Sequence, residues 1–105
     1  MLRIYDLSLE LVRRLKPYVD AISRRDPDLG RQLRRALTSV PLNIAEGSYA
    51  RGRNRQSLYQ VALGSAKETG ACLDVAVRFE YIERVDVEIL AMLNSICAVL
   101  YSLVT

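Results

Sequence analysis

"DPDLGRQLRRALTSVPLNIAEG", residues 26 to 47, is the stretch on which the fold turns. Leu29, Leu33, Leu37, Val40 and Ile44 recur at intervals of four, four, three and four, a spacing that lays them along one face of an α-helix. Asp26 followed by Pro27 is a strong start signal. The carboxylate can accept from an early orphan N–H, and proline loses nothing at the first helical position, where its missing N–H has no partner anyway. Pro41 falls inside the pattern, yet the apolar stripe stays in phase across it, so one bent helix is expected rather than two. Gly47 is expected to end that helix in the left-handed C-terminal position.

The same period extends in both directions. Before it, Leu7, Leu11, Leu15, Tyr18 and Ile22 form one face of a first helix, with Asp6 as expected N-cap and a bend expected at Pro17. After it, Leu58, Ala62, Ser65, Thr69, Cys72, Leu73 and Ala76, joined by Val61 and Phe79, form a third face built largely of small side chains. A second stripe on that helix, Leu63, Gly70 and Val77, repeats every seven residues and points elsewhere. A fourth helix carries Ile89, Leu93, Ile96, Leu100 and Leu103, with Leu90, Cys97 and Val104 beside them. The expected helices therefore span about 6–24, 27–47, 57–79 and 86–104 in a single domain, residues 1–105. Helices of ~20 residues, each ~30 Å long, with short connections predict an all-α, antiparallel up-down-up-down four-helix bundle.

From Ile89 to Thr105 no residue is charged. A run of seventeen is short for a membrane span, and Asn94, Ser95 and Ser102 interrupt it. The better reading is a helix covered by its own bundle and by a second copy of the chain. Leu42, Leu63, Gly70, Val77, Met92 and Val99 are the expected oligomer-interface positions.

Composition excludes several chemistries. There is no histidine among the 105 residues, so Ser–His and Cys–His nucleophile pairs and imidazole metal ligation are out of reach. Cys72 and Cys97 form no C-x-x-C pair and lie among apolar residues, as reduced core thiols of a cytoplasmic protein would. The opening "MLRIYDLSLELVRRLK" has charges within its apolar run and does not read as a secretory signal. "GSYARGR" lacks the Gly-Lys-Ser/Thr ending of a phosphate loop. No catalytic residue, metal, cofactor or membrane partner is expected.

The net charge of +3 is unevenly placed. Residues 1–55 hold twelve Arg or Lys against six Asp or Glu, whereas residues 56–105 hold three against six. At about 100° per residue, Arg31, Arg34 and Arg35 share the side of the second helix opposite the leucine stripe. Arg51, Arg53 and Arg55 then occupy the expected connector, with Tyr49 just before them. Guanidinium forks match phosphate oxygens and an aromatic ring can stack on an unpaired base, so these seven residues are the candidate RNA- or DNA-binding set. A solvated helix face, or arginines paired with Glu46, Glu68 or Asp74, would produce the same pattern. The Leu42 and Ala45 side of the same helix offers an alternative, a scaffold or accessory subunit docking on a polymerase or ribosomal component.

"QLRRALTSVPLNIAEG" (32–47) followed by "ALGSAKE" (62–68) resembles the 23S rRNA intervening-sequence protein family, four-helix bundles encoded within bacterial large-subunit ribosomal RNA genes. Gln32, Arg35 and Ala36 fit Q-x-x-R-A. Ser39, Pro41, Asn43, Ile44, Ala45, Glu46 and Gly47 fit S-I-P-x-N-I-A-E-G with Val40 in place of Ile, and Gly64, Ser65 and Glu68 fit G-S-x-x-E. The resemblance implies a homopentameric ring with a central opening and a biochemical role that is unresolved. It also implies kinship with the accessory proteins of diversity-generating retroelements, thought to handle nucleic acid. The motif residues have structural readings as well. Asn43 can satisfy a carbonyl left open by Pro41, Glu46 can pair with Arg35, and Gly64 and Ser65 can be small because helices touch there.

Overall fold

The computed structural model describes residues 3–105, which form four α-helices and, among the described residues, no strand. They are α1 (Arg3–Arg25), α2 (Pro27–Tyr49), α3 (Gly52–Arg78) and α4 (Val87–Val104). Each helix packs on its neighbours in chain order and α4 returns to α1, the α2–α3 seam being the most extensive. The result is an elongated bundle of 42 × 25 × 20 Å.

The core is the set of apolar stripes turned inward. Leu11, Leu15 and Ile22 from α1, Leu33, Val40 and Ile44 from α2, Leu73 from α3, and Ile96 and Leu100 from α4 are fully enclosed. Small side chains, Ala36 on α2 and Ala62 and Ala66 on α3, are buried in these two helices, whose seam is the most extensive in the bundle. Ser8 and Thr69 are the buried polar side chains among the described residues, and each donates to a carbonyl of its own helix, Tyr5 O at 2.7 Å and Ser65 O at 2.9 Å. No buried polar side-chain atom is left without a partner among the described residues.

Several expectations are corrected here. α1 begins at Arg3, so Asp6 lies in its first turn, where its charge favours the helix dipole, and is not the N-cap. Asp26 does cap α2, accepting from Leu29 N at 3.0 Å. Helix α2 runs unbroken past Pro41 and past Gly47 to Tyr49. Gly47 therefore is not the left-handed terminator. That conformation falls to Gly52, at φ +57°, the first residue of α3. The expected nine-residue arginine connector shrinks to Ala50 and Arg51, and Arg53 and Arg55 sit in the first turn of α3.

Other apolar positions also differ. Leu63 is 5% exposed and belongs to the core, so it is not an oligomer-interface residue. A Cβ on Gly70 would lie 3.4 Å from Leu93, placing that position on the α3–α4 seam, and Met92 packs against the core. The heptad stripe on α3 is thus taken up within the protomer, Leu63 in the core, Gly70 against α4 and Val77 half-buried. Conversely, Val61, Phe79 and Leu103, expected on buried faces, are exposed. Phe79 has left the helix to stack on Tyr81, ring centroids 5.4 Å apart. Beyond it α3 closes with Tyr81 N donating to Ala76 O and Glu80 N to Val77 O, while Glu80 takes φ +62°. That is the Schellman pattern with a carboxylate side chain where glycine is usual.

Cys72 and Cys97 are free thiols, and burial pushes both up from the ordinary cysteine range. By length and composition alone α4 is apolar enough to cross a membrane, a property it shares with core helices of soluble proteins.

Candidate nucleic-acid interface

The seven candidate residues do not form one site. Arg31, Arg34 and Arg35 lie exposed along the first half of α2, and Tyr49, Arg51 and Arg53 lie exposed at its far end. Fourteen residues at ~1.5 Å each separate Arg35 from Tyr49, about 20 Å along the bundle.

Arg55 belongs to neither group. Its Nε lies 3.1 Å from Gly47 O and 2.9 Å from Ala50 O, and its Nη2 lies 3.3 Å from Ser48 O. The last turn of a helix leaves its carbonyls without intrahelical donors, and this guanidinium supplies them from the next helix. Arg55 is the cap of α2, a role that no spacing rule assigns, because its donors are aimed backwards across the turn.

The remaining arginines divide by partner. Arg31 is tied to Asp28 one turn earlier, and in α1 Arg13 and Arg14 share Glu10 while Lys16 holds Asp20 at 2.9 Å. Arg34, Arg35, Arg51 and Arg53 have no carboxylate within ion-pair distance among the described residues. The charge of Arg34 is nonetheless felt at Asp20, where it helps Lys16 hold the carboxyl below its ordinary range.

Between α2 and α3 runs an open groove of about 580 Å³, lined by Arg31, Gln32, Arg35, Ser39, Ser65 and Glu68 among others. Its residues are joined across the seam. Gln32 Nε2 donates to Glu68 Oε2 at 3.3 Å, and Ser65 Oγ donates to Ser39 Oγ at 2.8 Å. Asn43 Nδ2 donates to both Ser39 O and Ser39 Oγ at 2.9 Å. Asn43 therefore serves Ser39, not the Leu37 carbonyl that Pro41 leaves without its helical donor. Glu46 is exposed and makes no ion pair with Arg35 among the described residues. Gly64 faces open space, and a Cβ there would meet nothing within 4 Å.

The motif halves that lie thirty residues apart in sequence, Gln32 to Ser39 and Ser65 to Glu68, thus form the two walls of one groove. Residues 1–102 match the profile of the family described as 23S rRNA-intervening sequence protein. The chain belongs to this family. A crystal structure of a protein with unknown function from the S23 ribosomal protein family, from Bacteroides thetaiotaomicron VPI-5482, is similar with a TM-score of 0.79. The two are 26% identical, and the match covers 97% of this chain and 98% of that one. No curated protein matches the chain. For this intervening-sequence protein, the four-helix fold and the family are therefore shown, whereas the arginines have only their geometry to speak for them.

Exposed apolar side chains are spread over three of the helices. Leu42 is 63% exposed and Tyr49 82% exposed on α2, with Val61 and Val75 open on α3 and Val99 on α4. Val77, another expected interface position, is half-buried. A shallow depression of about 500 Å³ joins Leu42 to Arg34, Arg35 and Thr38, so the apolar and basic parts of α2 adjoin.

Proposed function

We propose that this protein is a non-enzymatic, cytoplasmic homo-oligomer that binds RNA or DNA through Arg31, Arg34, Arg35, Arg51 and Arg53, with Tyr49 beside them. The protomer is an up-down-up-down bundle, and copies close into a ring, a pentamer by the family resemblance. The observation that carries the binding reading is the unpaired state of Arg34, Arg35, Arg51 and Arg53 among the described residues, in contrast to Arg13, Arg14 and Lys16 of α1, each of which is matched by a carboxylate. An exposed guanidinium without a carboxylate keeps its full affinity for phosphate. The kinship with retroelement accessory proteins that the sequence resemblance implies would point the same way. A ring would multiply weak contacts, since each further site binds at an effective concentration set by the first.

The test is retention of a structured RNA across a salt series. Phosphate contacts from the four unpaired arginines, with Arg31 held by Asp28, give a slope of log affinity against log salt of about −3 to −4. Replacing Arg51 and Arg53 by Ala should reduce that slope by about 2 with helicity intact. Equal slopes for parent and variant would remove the α2–α3 junction from the binding surface.

A second reading rests on exposed Leu42 beside Ala45: a scaffold docking on a polymerase or ribosomal component. A partner that stays bound after nuclease treatment at moderate salt would favour it.

A further inference from the structure

The α2–α3 groove contains more than positive charge, and the basic-surface reading does not use the rest. An amide donor and a carboxylate acceptor sit side by side on its walls, Gln32 Nε2 being 3.3 Å from Glu68 Oε2. Both side chains are solvent-accessible, so either can exchange its mutual contact for a ligand. The unpaired guanidinium of Arg35 lines the same groove, as do Ser39 and Ser65, whose hydroxyls are paired with each other, Ser65 Oγ donating to Ser39 Oγ. A volume of about 580 Å³ lies within the range of sites that hold small molecules.

We infer that this groove reads an unpaired guanine base, with Glu68 and Gln32 contacting its Watson–Crick edge and Arg35 the neighbouring phosphate. The inference rests on the nucleic-acid reading above and assigns its base specificity. Guanine presents, in order, one acceptor (O6) and two adjacent donors (N1–H and the N2 amino group). A carboxylate, which only accepts, can take both donors with its two oxygens, while an adjacent amide N–H supplies O6. The other bases lack that order. Adenine places the lone pair of N1 against the carboxylate, cytosine offers one amino group next to two acceptors, and uracil flanks its single N–H with two carbonyls. Each would leave like-signed groups facing one another, which a hydrogen-bonding site rejects strongly. Recognition of single-stranded RNA commonly takes this form, with unstacked bases read on their Watson–Crick edges. Arg31, held by Asp28 at the rim, adds field without entering the pattern.

The experiment uses fluorescently labelled heptamers UUUXUUU with X as guanosine, inosine, adenosine or cytidine, titrated at fixed salt with the full chain. The parent should prefer guanosine over adenosine by about 10-fold, the discrimination of one good bidentate pair. Inosine, lacking the N2 amino group, should fall between them. Glu68→Gln should abolish the guanosine preference, because an amide can pair with adenine's N1 and N6 as well as a carboxylate pairs with guanine, with the thermal midpoint unmoved because Glu68 is exposed. Arg51→Ala with Arg53→Ala should weaken all four oligomers alike and keep the preference. Equal binding of the four by the parent, or a preference surviving Glu68→Gln, overturns the guanine inference alone. Binding of none overturns it together with the basic-surface reading.

Discussion

Gly47 has no room for a side chain. A Cβ there would lie 2.5 Å from Tyr59 Cε1, and that ring is itself enclosed in the core and cannot swing away. Gly64 is its opposite, helical and open on every side. Alanine at 47 should therefore cost about 1–3 kcal/mol as an overpacked core position. Alanine at 64 should stabilise the protomer by about 0.5–1 kcal/mol by removing glycine's excess unfolded-state freedom. Thermal or urea unfolding of the two variants checks both signs. A neutral Gly47→Ala would mean that α2 and α3 do not approach as closely as Tyr59 requires. Both glycines stand in the sequence motifs, but the sequence assigns Gly47 a backbone role where packing is the cause. Only Tyr59, twelve positions away and opposite it, explains why the residue must be small.

At the scale of the element, α1 was legible in its stripe and not in its outer face. Glu10 accepts from Arg13 Nε at 2.9 Å and from Arg14 Nε at 3.1 Å, and these two partners hold its carboxyl at about 2 against an ordinary 4.5. The direction of the pH effect follows. A folded pKa below the unfolded one means that the unfolded chain binds the proton more readily as pH falls. The stabilisation is complete above about 4.5 and is lost as pH drops toward 2. Acid unfolding of Glu10→Gln should lack that component, and salt should shrink the difference, since the pairs are at the surface. Superimposable pH profiles for parent and variant between those limits would refute the assignment. The element boundaries show where local rules stop. Asp26 and Pro27 named the start of α2 correctly, because a cap is local chemistry. Its end was misplaced by two residues, because the final carbonyls are held by Arg55 from the next helix.

For the whole molecule, the question is what covers the apolar surface left by the bundle. Leu42, Tyr49 and Val61 stand on the α2–α3 side, and Leu90, Val99 and Tyr101 on α4. Burial of such side chains is worth about 1.5–3 kcal/mol each when complete, so the surface can hold an assembly together. The native mass should be a multiple of the 11.9 kDa protomer. Leu42→Lys combined with Val99→Lys should reduce it toward one protomer while far-ultraviolet dichroism stays helical. A parent chain that already sediments as a single protomer would sink the ring.

By itself, the sequence determined that this chain makes four helices, which stripe of each turns inward, and which family they belong to. Those properties rest on a period of 3.6 residues, on caps and on contiguous motifs, all readable within a few turns. The tertiary structure alone decided that Leu63 is core and Phe79 is not, that Arg55 serves a helix end rather than a ligand, and that Gln32 and Glu68 face each other across one groove. Such outcomes depend on which helix lies opposite and how close its backbone comes. Periodicity gives the direction in which a side chain points along its own helix and carries no information about what waits there.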